Sequence, residues 1–378
     1  KKKETLGGVL RSLGALRERF GGVQVSFGEP IPLARVLDET HRGWRTDPVD
    51  EQFRPEWLGA AAEKLGTRIM TAINEAAVIN PVNLVSLVLL SMPKQAIVEV
   101  ELRAQLTLYI ELAKRAPYAL RSGGSNLTPD EMIERCERLR WLSRRPHELG
   151  DVLYMDERRA VLASYYRNNI VHLFALPALV AVGFMNRSEL TAARLRTLVA
   201  ELYPCLRGEL FLRLGGAELE PATDSVVASM VELGSLEVRA GVLVRPAEGS
   251  PRAAQLRLCA EIVQPFIERY YLCISLLLAA RSGVLRPAEL VRRCRAASEQ
   301  LALIYGLNSP DLFQADLFDT WVEYLRGAGL VAEDSSGALA FDEPVLDELA
   351  AALGFVLPAG LRQTLENLAG TAAPVQAG

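Results

Sequence analysis

Histidine and the short signature motifs of enzymes are scarce in this sequence of 378 residues. Its three histidines, His41, His147 and His172, lie far apart and no Cys-x-x-Cys pair accompanies them, so a zinc site is not expected. A glycine-rich phosphate loop and a Gly-x-Ser-x-Gly elbow are absent from the sequence as well. We therefore predict neither a cofactor nor a metal ion.

A surplus of positive charge is also lacking. The sequence carries 42 Lys and Arg against 46 Asp and Glu, a formal net charge of −4. Nucleic-acid binding needs a concentrated basic face, so no nucleic acid partner is expected. The cysteines are odd in number and widely spaced, which indicates a reducing compartment rather than a disulfide framework. They are Cys136, Cys205, Cys259, Cys273 and Cys294.

No apolar run reaches the ~20 residues that a membrane-spanning helix needs, although half of the residues are hydrophobic. The most apolar stretch is Tyr165–Met185, in which His172 is the only ionisable residue after Ile170. Its length and Pro177 favour a buried core helix. A helix lying against a membrane surface is the alternative, and Ile170–Met185 and Leu84–Met92 are the candidates for it.

The amino-terminal region predicts one helix and one strand. Leu6–Phe20 has helical apolar spacing, and Val23–Phe27 alternates apolar and polar residues as a half-buried strand does. A single strand cannot form a sheet, so its partners are expected elsewhere, or the chain is the end of a larger α/β domain. The sequence opens KKKETLGG, with neither Met nor a secretory signal, so Lys1 is not expected to be the natural start.

Composition divides the chain into three parts. Residues 1–57 hold the helix, the strand and an irregular connector, residues 58–370 read as helical, and residues 371–378 form a small-residue tail that we expect to be disordered. Within the connector, His41 and Asp47 could form a catalytic pair, but the loop composition favours a solvated turn.

The helical part contains a weak internal repeat over residues 70–157, 158–247 and 262–345. Each segment runs from an apolar helix through two amphipathic helices to a strand or hairpin, which is the plan of a winged-helix unit. Winged helices often bind DNA, yet the third segment's second amphipathic helix, Leu312–Leu325, is acidic. We interpret the repeats as packing or partner-binding modules.

Two polar clusters are candidate sites for substrate, membrane or partner contacts. The first lies at the head of the apolar stretch, where Asn168 and His172, four residues apart, are expected to share a helix face. An anionic headgroup or phosphate would suit it, but a helix start with a hydrogen-bonded core histidine is favoured. The second cluster surrounds the end of the strand and is also expected to be structural. The candidates are Arg167, Asn168, Asn169, His172, Glu29 and Arg35.

Five blocks of sequence, in this order, resemble the bacterial, PlsB-type glycerol-3-phosphate acyltransferases. The blocks are VQVSFGEPIPL (Val23–Leu33), NPVNLVSLVLL (Asn80–Leu90), SYYRNNIVHLFALPALVA (Ser164–Ala181), LYPCLRGELFLR (Leu202–Arg213) and LIYGLNSPDLF (Leu303–Phe313). The resemblance implies transfer of a fatty acyl group from acyl-acyl carrier protein or acyl-coenzyme A to the 1-hydroxyl of glycerol-3-phosphate, giving lysophosphatidate. It also implies a His-x4-Asp pair as the catalytic base and its orienting acid.

The sequence departs from this family because the His-x4-Asp and phosphate-binding motifs, which precede the FGEP strand in the family, are missing. The resemblance therefore implies a mainly α fold, made of the last helix and strand of the α/β acyltransferase domain and a helical C-terminal region. We assign no catalytic residue and expect the chain alone to be inactive. The implied partners are the catalytic half of the same protein and membrane lipid, at the cytoplasmic face of the bacterial inner membrane, with peripheral or monotopic attachment. The alternative is a winged-helix-like adaptor.

Overall fold

The computed structural model describes residues 25–47, 55–115, 127–305 and 315–372. Within these ranges the chain forms fifteen α-helices and three small antiparallel sheets. The prediction of a mainly α fold is confirmed. Helices α1 (Leu33–Thr40) and α2 (Glu56–Glu75) come first, and most of the remaining elements follow one repeated order.

The first repeated unit begins at a well-defined helix start. The side chain of Asn80 accepts a hydrogen bond from the backbone N–H of Asn83, and the side chain of Asn83 accepts one from the backbone N–H of Asn80. Pro81 occupies the first turn, where its missing N–H costs nothing. An antiparallel sheet with strand order β1-β3-β2 closes the unit. Its elements are α3 (Pro81–Leu90), β1 (Ala96–Val98), α4 (Glu99–Arg115), α5 (Pro129–Arg138), β2 (Ser143–Arg145) and β3 (Val152–Tyr154).

The second unit repeats this order after a leading helix, and its sheet again places the first strand beside the last, in the order β4-β6-β5. The leading helix is α6 (Glu157–Asn168). The unit consists of α7 (Val171–Val182), β4 (Glu189–Leu190), α8 (Ala192–Leu210), α9 (Leu219–Glu232), β5 (Glu237–Arg239) and β6 (Val242–Val244).

The third unit follows the leading helix α10 (Pro251–Ala260) and has the same plan. Its two-stranded sheet is extended by backbone hydrogen bonds, from Gly283 N to Leu339 O (2.9 Å) and from Leu339 N to Leu285 O (2.7 Å), where the other units have a first strand. Its elements are α11 (Gln264–Ala280), α12 (Pro287–Tyr305), α13 (Ala315–Gly327), β7 (Val331–Glu333) and β8 (Leu339–Phe341). Helices α14 (Glu343–Val356) and α15 (Ala359–Ala372) end the described chain.

The apolar helix of each unit is covered by the helix that follows the unit. Helix α6 packs on α3, α10 packs on α7, and α14 and α15 pack on α11. Every residue of α7 is buried, and so are Leu84–Leu89 of α3. The alternative interpretation, in which Ile170–Met185 and Leu84–Met92 lie against a bilayer, is therefore wrong, because neighbouring helices occupy the surface that lipid would need. The favoured prediction of a buried core helix is confirmed for α7.

Among the described residues no single helix is long and apolar enough to cross a membrane. Helices α10 and α11, which meet at a 50° bend, reach that length and composition only when taken together. Five described cysteines are buried and free, and burial raises the pKa of Cys136, Cys205 and Cys259 to about 12. Their burial shows that they serve packing.

The predicted strand Val23–Phe27 lies partly outside the described residues. Residues 25–27 belong to no strand, and Val25 and Phe27 are 72% and 85% exposed. A strand needs a neighbour to accept its hydrogen bonds, and none of the strands in the described chain pairs with these residues. The expectation that its partners lie elsewhere stays a prediction. The predicted helix Leu6–Phe20 lies outside the described residues. At the other end, α15 extends two residues into the predicted tail, and residues 373–378 are not described.

Candidate functional site

A cleft of about 500 Å³ lies between the segment preceding α1, helix α2 and the loop after α8. Glu29 and Arg35, two of the predicted site residues, line it. Gly28 lies beside α2, where an added Cβ would make an ordinary contact, 4.0 Å, with the Cβ of Ala72. The second predicted cluster therefore borders a real concavity.

Arginines from separate elements surround this cleft. Arg35 comes from α1, Arg68 from α2, and Arg207 and Arg213 from α8 and the loop after it. Planar guanidinium groups donate paired hydrogen bonds to carboxylates and phosphates, so the arrangement suits an anion. The sequence analysis missed Arg68, Arg207 and Arg213, although Arg207 and Arg213 lie within the quoted block LYPCLRGELFLR.

Glu39 holds part of this basic surface in place. Lys64 Nζ lies 2.9 Å from its carboxylate, Arg35 Nε lies 3.1 Å away, and Arg68 also donates to it. These cations, with Lys64 contributing most, lower the pKa of Glu39 to about 2. The carboxylate therefore stays ionised at neutral pH and ties α1 to α2 on the exposed side of the cleft.

The far wall of the cleft depends on an unusual turn after α8. Phe211 has φ 50° and ψ 47°, a left-handed conformation that costs a non-glycine residue of order 1 kcal/mol. Arg207 Nε donates to Leu212 O (3.3 Å), and the guanidinium lies so close to Gly215 that a Cβ there would be 2.7 Å from Nη1. The turn thus fixes the position of Arg207.

His172 supports the same region from within the core. Its Nε2 lies 2.9 Å from Asn74 O, and Asn74 Nδ2 donates to Leu210 O (2.7 Å), so α7, α2 and the end of α8 are linked. Burial lowers the pKa of His172 to about 4. The imidazole is therefore neutral at physiological pH, as expected of a structural core histidine.

The other residues of the first predicted cluster separate from His172. Helix α6 ends at Asn168 and α7 begins at Val171, so the expected shared face of Asn168 and His172 is wrong: Asn168 is exposed and His172 is buried. Asn169 is exposed too, while Arg167 is buried and donates to Asn168 Oδ1 from Nη2 (2.8 Å). The cluster surrounds a break between two helices.

An exposed apolar stripe, which we call the α2 patch, adjoins the cleft. It comprises Ile69, Met70 and Ile73, which are 43%, 38% and 56% exposed and occupy one helix face. Val25, Phe27 and Leu33, on the segment that runs past α2, are exposed as well. Contiguous exposed apolar groups on a soluble surface indicate an interaction site.

Helix α6 also shows an inverted distribution of apolar residues. Its small or polar residues Ala160, Ala163, Ser164 and Arg167 are buried against α3. Its large apolar residues point the other way, and they form what we call the α6 patch. The members of the α6 patch are Val161, Leu162, Tyr165 and Tyr166, between 36% and 71% exposed. On a surface helix the large apolar residues normally face the core and the polar residues face water; α6 has the reverse arrangement.

His41 and Asp47 do meet in the structure. His41 Nε2 lies 2.8 Å from Asp47 Oδ2, Trp57 Nε1 donates to the same carboxylate oxygen (2.9 Å), and the imidazole stacks on Trp57 with centroids 5.5 Å apart. These contacts close the loop onto the start of α2, so His41 and Asp47 are paired and half-buried rather than freely solvated as predicted. No group of three or more possible metal ligands occurs among the described residues.

Comparison with known proteins identifies the family. A family model described as glycerol-3-phosphate acyltransferase C-terminal region matches residues 1–334. A glycerol-3-phosphate acyltransferase of Ectopseudomonas mendocina is 39% identical over 370 residues, which are 98% of this chain and 45% of the relative. Glycerol-3-phosphate acyltransferases of Pseudomonas syringae pv. syringae and Pseudomonas aeruginosa are each 37% identical to it, over 98% of this chain and 44% of the relative. This chain thus spans somewhat less than half the length of these relatives, and it belongs to the glycerol-3-phosphate acyltransferase family, whose C-terminal region it matches.

Proposed function

We propose that this chain works as the C-terminal region of an enzyme that acylates glycerol-3-phosphate. In this proposal the enzyme transfers a fatty acyl group from acyl-acyl carrier protein or acyl-coenzyme A to the 1-hydroxyl and forms lysophosphatidate, the first step of phospholipid synthesis. The main support for this proposal is the match to the family model along most of the chain. The sequence of the chain also lacks the catalytic motifs of the family. Catalysis would belong to a partner region, and this chain would support it.

The α2 patch and the arginine cleft are the surface proposed to contact the catalytic region. Burying one exposed Leu- or Ile-sized side chain stabilises a contact by roughly 1.5–3 kcal/mol, and the α2 patch offers Ile69 and Ile73 side by side. The neighbouring arginines would meet an acidic surface or the phosphate of a substrate. Apolar area would thus supply affinity, and the arginines would supply orientation.

A charge placed in the α2 patch tests this docking. In the protein that includes the catalytic region, Ile73→Asp is expected to lower acyltransferase activity at least about tenfold, because an aspartate cannot be buried there without a partner. Val238→Asp is the matched control, since Val238 is 57% exposed against 56% for Ile73 and lies on β5. Equal activity of both variants would contradict the docking surface. In the 378-residue chain, both variants should have the same melting temperature as the unsubstituted chain.

The 378-residue chain by itself is expected to be inactive. The proposal assigns the catalytic base to the partner region, so mixing the purified chain with labelled glycerol-3-phosphate and acyl-coenzyme A should yield no lysophosphatidate. Adding the catalytic region of a relative tests whether activity returns. Product formed by the chain alone would refute the division of roles.

We further propose that the protein attaches peripherally or monotopically to the cytoplasmic face of the bacterial inner membrane, with the α6 patch at the lipid. Tyrosine and aliphatic side chains on one helix face suit the boundary between headgroups and acyl chains. Leu162→Glu is expected to reduce co-sedimentation with anionic liposomes severalfold, whereas Val284→Glu, at a 49% exposed valine elsewhere, should not. Sedimentation that survives Leu162→Glu would remove α6 from the proposal.

A second candidate function is a winged-helix-like adaptor. Its support is the shared order of elements in the three units, in which a first strand pairs beside a closing hairpin. We expect the units to act as a protein scaffold, because Asp319 and Glu323 of α13 would repel DNA phosphates. A mobility shift with duplex DNA at low salt would instead favour a nucleic-acid adaptor.

A further inference from the structure

A second and larger concavity, which we call the α10 groove, lies on another part of the molecule. It encloses about 990 Å³ between α10, the start of α11, the end of α3 and the start of α4. This volume is at the upper end of the range for small-molecule pockets, about 300–1,000 Å³. No residue of the arginine cleft or of the α2 patch lines it.

The groove is elongated and mostly apolar. Its lining follows the chain from Gly249 to Glu268, and the ten residues of α10 alone rise about 15 Å. Pro265 has no N–H with which to continue α10 into α11, and the 50° bend between the helices opens the groove beside it. The apolar lining includes Met92, Val100, Phe184, Leu258 and Leu361. This shape suits a flexible hydrocarbon chain better than a compact ring.

Three polar side chains line the groove at the bend. Glu261, Gln264 and Glu268 are spaced three and four residues apart, and Gln264 Nε2 donates to Glu268 Oε1 (3.1 Å). Burial, reinforced by the negative charge of Glu261, raises the pKa of Glu268 to about 7, and burial also raises the pKa of Glu261. A carboxyl group beside apolar walls is costly unless something hydrogen-bonds to it.

A buried amide lines the same groove from α4. Gln105 is completely buried, and its Nε2 donates to Gln255 O at a long 3.4 Å. Its Oε1 has no hydrogen-bond partner in the described parts of the chain. Buried polar atoms nearly always have a partner, so Gln105 gives the wall of the groove a polar character at this point.

We propose that the α10 groove binds a single long acyl chain whose uncharged polar end donates a hydrogen bond to Glu268. The chain would lie along α10 against the apolar walls. Hydroxyl or amide N–H groups at its end would reach the polar residues at the bend. A monoacylglycerol is the simplest molecule with both features. This site goes beyond the proposed acyltransferase role and does not depend on it.

The charges of the groove argue against an anionic end. Glu261 and Glu268 would repel a carboxylate or phosphate near the bend. Three arginines also line the groove, and each has a partner within the protein. Arg245 Nη2 lies 3.2 Å from Glu248 Oε2, Arg167 donates to Asn168 Oδ1, and the charge of Arg257 acts on Glu261, where it opposes the effect of burial on the pKa. An uncharged end needs no counter-ion, so it is the end that the groove accommodates.

Titration calorimetry of the 378-residue chain at about pH 8, where Glu268 is largely ionised, tests the proposal with 1-monooleoylglycerol and oleate below their aggregation concentrations. Monooleoylglycerol is expected to bind at least about tenfold more tightly than oleate, because only oleate is repelled by the carboxylates. Glu268→Gln should leave monooleoylglycerol binding within about threefold and strengthen oleate binding about tenfold, since it removes one negative charge. Equal affinity of the unsubstituted chain for both molecules would overturn the uncharged end.

Filling the groove provides the second arm. Ala104 on α4 and Ala254 on α10 both line it and are exposed, so Ala104→Phe and Ala254→Phe should each weaken monooleoylglycerol binding at least about tenfold without disturbing the core. Ala200→Phe, at an exposed alanine on α8 away from the groove, is the matched control. Circular dichroism confirms folding of each variant, and two blocking positions guard against the loss of one. Unchanged binding in a folded blocking variant would refute the site.

Discussion

A buried ion pair between α8 and α11 permits a sharp test of how this fold is stabilised. Arg269 is 1% exposed, and its Nη2 lies 2.5 Å and 2.7 Å from the two carboxylate oxygens of Glu209. Tyr270 completes the network by donating its hydroxyl to Glu209 Oε2 (2.6 Å), and its ring stacks on Trp321 with centroids 3.8 Å apart. Glu209 therefore neutralises a cation that has almost no access to water.

Removing one partner of this pair is expected to be far worse than removing both. Glu209→Leu leaves the Arg269 guanidinium buried without its counter-charge, which costs about 3–5 kcal/mol of the free energy of unfolding. Replacing both, as in Glu209→Leu with Arg269→Met, exchanges the charges for apolar groups of similar volume, and such exchanges are often neutral or stabilising. The double variant should therefore be several kcal/mol more stable than the Glu209→Leu single variant.

Urea unfolding followed by far-ultraviolet circular dichroism measures these differences. The exposed pair of Arg239 and Glu237, 2.6 Å apart with side chains 65% and 40% exposed, provides the control. The corresponding Glu237→Leu change should alter stability by no more than about 1 kcal/mol. The reasoning fails if Glu209→Leu costs less than about 1 kcal/mol, or if adding Arg269→Met to it brings no recovery.

Further expectations concern packing and pH. Gly208→Ala would push a Cβ into the Tyr324 ring and should cost about 1–3 kcal/mol, whereas Gly66→Ala, within α2 with open space around it, should add about 0.5–1 kcal/mol; thermal melting of the two variants decides. The folded state favours the neutral imidazole of His172, because burial lowers its pKa to about 4. Above pH 6.5 the histidine is neutral in both states and does not affect the free energy of unfolding. As the pH falls from 6.5 towards about 4, protonation of the unfolded state lowers the free energy of unfolding by up to about 3 kcal/mol. His172→Gln should remove that share of the acid slope in urea midpoints, and an unchanged slope would contradict the assignment. Leu179→Glu, at a position 1% exposed, should abolish cooperative unfolding. A normal melting transition would be incompatible with the buried α7.

Periodicity in the sequence was sufficient for most of the helices. The predicted repeat placed a strand or hairpin at the end of each segment, and the closing strands β3, β6 and β8 lie near the ends of segments 70–157, 158–247 and 262–345. The first strands of the first two units, β1 and β4, were not predicted, because they have only three and two residues and are too short to show an alternation of their own.

The most apolar stretch shows where composition misleads. Tyr165–Met185 suggested one helix with one role, yet it contains the end of α6 and the whole of α7. The apolar residues before the break are exposed and those after it are buried. Average hydropathy cannot separate these cases, because the orientation of α6 is decided by small side chains that fit against α3.

The candidate site was recoverable only in part. Glu29 and Arg35 were predicted from their position beside the expected strand, and both border the arginine cleft. Arg207 and Arg213 reach the same cleft from more than 170 positions later in the sequence. Their convergence depends on how the end of α8 meets α2, where Asn74 Nδ2 donates to Leu210 O, and local sequence patterns contain no information about that contact. The helical spacing of Ile69 and Ile73 is visible in the sequence, but the exposure of their side chains is not.

The five buried thiols make it possible to follow local opening of the fold by cysteine labelling. A thiolate is the reactive form, and Cys136, Cys205 and Cys259, whose pKa burial raises to about 12, form almost none of it at neutral pH. All five thiols are also shielded from reagents by burial. Alkylating reagents are therefore expected to leave the native protein unmodified and to react with each cysteine only after the surrounding helices separate. Because the cysteines are distributed from α5 to α12, mass spectrometry of timed labelling would show, position by position, which unit opens first.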